Sequence, residues 1–330
     1  MRIAMVNIKC SINIKCSRGV IVFACFWLFG AVTEVSLAQT PISRKRKAEN
    51  RDSLYIQHVE DSAEPDKVLH AEPLYIDLIR DLGARRGENE INIGVGMQDN
   101  VRYDSYQVLA EYEFAPINRL GLGVEIPFTF YRSLRNKGDY LQDSLRPRSR
   151  LNSLKVAAQY SFFVNEKIKT SMAIGYIHEF EIHSFYRLRK GGTFKGNLFN
   201  PFFVIAKRWG DRFHTMLYTG PRIDNRYGSQ KWKFEYEMHL NLHYMIPGTR
   251  NFIGMEVNNY FATRQANVCF RPQMRLAISH NFLIGIVAQI PANRNVDGLG
   301  LYTRLMYEPP HLFARQHGTH PKPRPVAEPG

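Results

Sequence analysis

The side chains able to do chemistry in this chain recur at alternate positions. Glu111 and Glu113 are two apart, as are Glu179 and Glu181, and Lys233, Glu235, Glu237 and His239 extend the same spacing. In an extended strand, residues two apart share a face. Projecting the alternation from strand to strand adds Glu125, Lys155, Glu256, Arg271, Arg275 and Arg304, for eight glutamates and five Lys or Arg on one common side. Such a face could line a hydrated passage whose constriction selects small solutes. It could also fill a narrow lumen with salt bridges that hold the walls together. Eight acids against five bases leave carboxylates over, and a buried unpaired carboxylate costs several kcal/mol, so the excess favours a wet lumen.

Other chemistries fit less well. A lipid hydrolase built on strands needs a serine and a histidine on one face, two apart. His183-Ser184 and Ser279-His280 are adjacent and point to opposite faces, while His239 and His243 have no serine between them. No enzymatic activity is expected. His311, His317 and His320 lack the spacing of a metal site, and no cofactor is implied. Gly94-Val95-Gly96 and Gly121-Leu122-Gly123 read as inward glycines that leave room for large neighbours. His178 beside Tyr176 suits an interfacial aromatic belt on the lipid face.

The elements that position these groups follow a period of two from Glu90 onward. Ile91, Ile93, Val95 and Met97 alternate with polar residues and glycine. Leu120, Leu122, Val124, Ile126, Phe128 and Phe130 form one face of the third segment, and Trp232, Phe234, Tyr236, Met238, Leu240, Leu242 and Tyr244 one face of the eighth. Segments at 106–114, 154–162, 170–182, 198–207, 213–221, 253–260, 268–278, 282–290 and 299–307 bring the count to twelve. Those at 198–207 and 213–221 have ambiguous phase, with Phe202 and Phe203 adjacent. The pattern predicts an all-β fold, a transmembrane antiparallel up-and-down barrel of about 12 strands over residues 90–307. The last segment, Leu299 to Tyr307, must then pair with the first, because an open edge in hydrocarbon would leave backbone groups unbonded.

Composition agrees. A mean hydropathy of −0.32 with 12% aromatic residues is too polar for a helical membrane protein but suits strands that give alternate residues to lipid. No run of about 18 apolar residues occurs. Arg2, Lys9, Lys15 and Arg18, the apolar run Val20 to Val32 and Ser36-Leu37-Ala38 read as a signal peptide cleaved after Ala38. Only Cys269 lies beyond it, so no internal disulfide is expected. Without residues 1–38, 40 basic residues face 29 acidic ones. Basic loops facing anionic lipopolysaccharide account for that balance without a nucleic-acid partner.

Residues 39–89 read as a periplasmic segment containing a short N-terminal helix at 73–82. Pro73 suits its first position, Leu74, Leu78 and Leu82 form a stripe, and Gly83 stops it. The stripe packs either into the mouth of the barrel or along its surface. Tight connections at 115–119, 164–167, 210–211, 247–250 and 280–281 alternate with long ones at 132–152, 183–197 and 222–230, which places both termini in the periplasm. Residues 308–330 form a proline-rich tail.

His70-Ala71-Glu72-Pro73-Leu74, Arg80-Asp81-Leu82-Gly83-Ala84-Arg85, Asn118-Arg119-Leu120-Gly121-Leu122, Asn200-Pro201-Phe202-Phe203 and Ile246-Pro247-Gly248-Thr249-Arg250-Asn251-Phe252 resemble a family of bacterial outer-membrane barrels. That family is similar in layout to transporter barrels grouped with aromatic, phenol-type degradation. Some members carry a phosphoribosylformylglycinamidine synthase name, for which this chain has neither a phosphate loop nor a glutaminase triad. The resemblance implies the architecture of an outer-membrane barrel and no substrate. The glycine-led, aromatic-ended strand Leu299 to Tyr307 resembles what such barrels offer the barrel assembly machinery, the basic balance fits outer-membrane lipid and lipopolysaccharide, and the charged lumen favours passage of a small-molecule solute. A non-conducting barrel displaying basic loops is the alternative, and a lipid-modifying barrel enzyme a more distant one.

Overall fold

A computed structural model describes residues 65–309, except 77–80, 101–102, 134–146, 189–191, 230, 248, 263–264 and 280. The expected signal peptide, residues 39–64 and the tail histidines lie outside the described residues. The strands are β1 (Asn89–Asn100), β2 (Tyr103–Ile117), β3 (Leu120–Ser133), β4 (Arg150–Leu151), β5 (Ser153–Asn165), β6 (Thr170–Ile182), β7 (Phe194–Trp209), β8 (Phe213–Arg226), β9 (Trp232–Met245), β10 (Phe252–Ala262), β11 (Gln265–Ala277), β12 (Phe282–Pro291) and β13 (Leu299–Tyr307). One helical turn, Phe185–Leu188, sits between β6 and β7. Among the described residues no helix is long and apolar enough to cross a membrane.

The two-residue β4 pairs with β3 at Phe128 and Thr129 and runs into β5 across Asn152, so the two act as one stave and the staves number twelve. Each is antiparallel to its neighbour. The ring closes where β1 meets β13, from Ile91 opposite Tyr307 to Asp99 opposite Leu299. The result is a closed antiparallel barrel in which no long strand has a free edge.

Alternation sorts the side chains as the period predicts. On β1, Ile91, Ile93, Val95 and Met97 are 40–53% exposed, while Asn92 between them is 1% exposed. Leu242 on β9 faces out and His239, Asn241 and His243 face in. Aromatic rings gather on the outside towards the strand ends. Tyr176, His178, Phe180, Phe199 and Trp232 form a contiguous group near the long loops, where His178 bonds Tyr176 at 3.1 Å and Asn197 at 3.1 Å.

Three expectations are adjusted. The ambiguous strands are long and regular, with Phe202 buried in the interior and Phe203 on the outer face. Their phase was obscured because the interior is itself apolar there, with Val204, Ala206, Met216 and Tyr218 also pointing in. Long and short connections do not strictly alternate, since β1 joins β2 and β10 joins β11 through two residues each at the long-loop end. The helix expected at 73–82 is centred on residues 77–80, outside the described residues. Beside them Leu74 to Ile76 form a bend, and Leu82 and Gly83 a turn.

The outward apolar face sets a measurable asymmetry. In lipid vesicles Leu240→Arg, mid-way along β9, should cost about 2–4 kcal/mol. Leu122→Arg, two residues from the β2–β3 turn, should cost nearer about 1 kcal/mol. The inward Asn241→Ser should leave the urea midpoint of refolding almost unchanged; equal tolerance on both faces would contradict the assigned phase.

Candidate functional site

The lumen is built around the chain's own N-terminal segment. Residues 65–76 and 81–88 lie at and inside the short-turn end, where the Gly87 amide donates to the Ala115 carbonyl at 2.8 Å and the Gly83 amide to Ser161 Oγ at 3.0 Å. Gly83 turns with φ +99°, a conformation side chains disfavour. Lys67 anchors the entry. Its ammonium is 2.8 Å from Glu88 and bridges Asp81, and its amide donates to Glu166 at 3.3 Å. Burial by itself would lower the Lys67 pKa, but the Asp81 and Glu88 carboxylates outweigh it and raise it above its ordinary value. Lys67 therefore stays charged throughout the neutral range.

Beyond this anchor, Val68, Ala71, Leu74 and Ile76 are each at most 5% exposed. The Ala71 amide donates to His214 Nδ1 at 2.7 Å and the Leu74 amide to Gln273 Oε1 at 3.0 Å. His70 bonds Ser171 at 2.9 Å. Leu74 lies against β12, and a Cβ added at Gly285 would stand 2.7 Å from Leu74 Cδ2, so the glycine is what admits it. Tyr75 is held on three sides. The Arg271 guanidinium lies 3.7 Å over its ring, Tyr302 meets it edge-on at 5.6 Å, and its amide bonds Glu256. Glu256 and Arg271 are tied through Asn258, which donates to Glu256 at 2.7 Å, and Arg271 reaches Gln289 at 3.1 Å. Two apolar clusters, one around Ile76 with Phe202 and Tyr218, the other around Leu74 with Phe252, Leu283 and Tyr302, fill the short-turn half of the lumen.

On the long-loop side of Tyr75 and Ile76 the lumen opens into a cavity of about 310 Å³. Among the described residues, four carboxylates, Glu125, Glu179, Glu181 and Glu237, line it with four cations, Arg150, Lys155, Lys195 and Arg222. They are cross-linked. Lys155 lies 3.1 Å from Glu125 and 4.0 Å from Glu179, Arg222 lies 3.7 Å from Glu179 and 3.1 Å from Glu237, and Lys195 lies 3.4 Å from Glu181. His239 stands 3.5 Å from Glu237 and stacks on Tyr218 at 5.3 Å.

The structure thus divides the residues expected to line a passage. Glu125, Lys155, Glu179, Glu181, Glu237 and His239 come together around the cavity. Glu256 and Arg271 hold Tyr75, and Arg275 bonds the Arg250 carbonyl at 3.2 Å behind the plug. Glu111, Glu113 and Arg304 are buried in the wall. Lys233, with its side chain 62% exposed, pairs with Glu235 at the rim, away from the cavity. The expected surplus of acid is corrected: Arg208 and Arg222 also face inward, and Arg222 bridges two of the supposedly unpaired glutamates. They were missed because β7 and β8 run past the expected strand ends at 207 and 221, which left Arg208 outside a strand and Arg222 in a long connection. Tyr260 and Tyr302 share the parity of the inward Glu256 and Arg304 and could have been found by it; Tyr218 was hidden by the ambiguous phase of its strand, and Tyr75 lies on the entering segment, outside any strand.

Among the described residues, a deeply enclosed ion pair joins Arg304 to Glu111 at 3.4 Å, with side-chain exposures of 8% and 0%. Arg304→Met should destabilise the barrel by about 3–5 kcal/mol by stranding the carboxylate. The double variant Arg304→Met with Glu111→Leu should recover most of that loss in urea titrations; an unrecovered double variant would mean the pair's charges are not what matters.

A family model described as HAEPLYID-like matches residues 66–308. No curated protein matches the sequence. Among solved structures, the crystal structure of an outer membrane channel from Pseudomonas putida F1 is similar at 10% identity, covering 72% of this chain and 99% of that one with a TM-score of 0.54. The KdgM porin aligns at 15% identity over 66% of this chain and 98% of its own, with a TM-score of 0.45. Neither the aromatic-degradation grouping nor the synthase name is supported by these comparisons. The matched span contains both the barrel and the segment His70-Ala71-Glu72-Pro73-Leu74-Tyr75-Ile76 that enters it, and the chain belongs to the HAEPLYID-like family.

Proposed function

We propose that this protein is an outer-membrane channel or transporter for small solutes, with residues 65–88 as its plug. The observation that carries the reading is the charge-lined cavity of about 310 Å³ above Tyr75 and Ile76, inside a closed barrel whose outer face is apolar. An outward band this apolar has no counterpart on soluble monomers, whose largest exposed patches are a few hundred Å², and it suits hydrocarbon. The fold shared with the Pseudomonas putida channel supports the same reading. A signal peptide cleaved after Ala38, both termini in the periplasm, contact with lipopolysaccharide through the basic loops and insertion by the barrel assembly machinery belong to this proposal. In it Glu125, Lys155, Glu179, Arg222 and Glu237 line the permeation path, and the plug must shift for solute to pass.

A second reading has a specific observation in its favour. The two apolar clusters seal the short-turn half of the lumen, as they would in a barrel that only binds or displays its loops. Planar bilayers separate the two. The full chain should conduct little, and deleting residues 39–86 should raise discrete conductance; Gly285→Met, which crowds Leu74, should raise it partway. Silent bilayers with every variant would establish the non-conducting barrel.

A further inference from the structure

Resting on the channel reading, we propose that the cavity above the plug is a binding subsite for a neutral, hydroxyl-rich solute of one or two sugar rings. Charge is the first argument. Among the described residues the four carboxylates and four cations around the cavity cancel in charge, and ion pairs at Lys155, Arg222 and Lys195 engage all four carboxylates, while Arg150 donates to Asn152. An anionic or cationic solute would have to compete with one of these internal partners and leave another charge unmatched, which is costly in an enclosed site. A neutral solute meets no such opposition. Hydrogen bonding is the second argument. A guanidinium has five donors and a carboxylate about four acceptor positions, so paired groups keep capacity for hydroxyls, which both donate and accept. Two buried atoms on the cavity wall, Ser153 Oγ and His239 Nδ1, have no hydrogen-bond partner among the described residues. Shape is the third. The volume of about 310 Å³ is at the small end of ligand pockets, roughly 300–1,000 Å³. Rings line it as well as charges: Tyr260 and Tyr302 border the space with the amphipathic surface that suits the C–H face of a pyranose, while Tyr218 is stacked between Phe202 and His239 and Tyr75 lies under Arg271.

The test uses the full chain in detergent micelles, titrated with glucose, maltose, glucuronate and glucosamine and followed by saturation-transfer NMR. Glucose and maltose should bind, and the two charged sugars should bind at least about tenfold more weakly, the factor to which about 1.4 kcal/mol corresponds. Glu179→Gln leaves the site with one positive charge in excess, so glucuronate should gain on glucose by about tenfold. This ratio is independent of how much of the variant folds. Charged sugars binding as well as neutral ones, or no sugar binding at all, would overturn the subsite. Conductance of the 39–86 deletion variant reports on the channel separately: conduction without sugar binding removes only the subsite, and sugar binding with silent bilayers leaves the subsite in a non-conducting barrel.

Discussion

Every strand in this protein depends on the seam between β1 and β13. Nine residue pairs, from Ile91–Tyr307 to Asp99–Leu299, close the sheet on itself. Backbone amides and carbonyls have no partner in hydrocarbon other than each other, and an unsatisfied group there costs several kcal/mol. A twelve-staved sheet left open would expose a whole row of them. Closure across more than two hundred residues of sequence is therefore the condition under which the local alternation of each strand becomes useful.

Closure creates an inside, and a barrel of this size has a lumen too wide to be filled by short side chains alone. This chain fills half of it with its own backbone. The segment ending at Tyr75 and Ile76 brings amides as well as side chains into the interior, and those amides are met by His214, Gln273 and Glu256 projecting from the wall. Polar wall residues thus hold the plug's backbone, while Phe202, Phe252 and Leu283 take its apolar side chains. The plugged half is consequently more apolar than the lumen of a water-filled barrel, and the unplugged half keeps the charges.

Around the cavity the charges act as a network. Glu125, Lys155, Glu179, Arg222 and Glu237 form a continuous chain of ion pairs across β3, β5, β6, β8 and β9. No member can be removed without leaving its neighbour incompletely paired, so the chain braces the wall and sets the electrostatic character of the space it encloses.

Much of this was legible in residue order. Alternation identified the strands and their faces on β1, β3 and β9, because a side-chain period of two follows from the geometry of a single strand. The turn lengths gave the meander, and the apolar stripe at Leu74 and Leu82 marked a segment in need of a partner. What residue order could not decide was anything that depends on which parts of the chain meet. The depth to which the plug enters depends on Gly285, some two hundred residues away, leaving space for Leu74. The phase of β7 and β8 depends on the plug, since its presence makes the inner face of those strands as apolar as the outer one. The pairing of Arg222 with Glu179 and Glu237 depends in turn on β8 continuing to Arg226, past the expected end of the strand at 221. A count of acids and bases along the sequence suggested unpaired carboxylates; only the closed barrel, by bringing those side chains within 4 Å of one another, converted the count into a matched set.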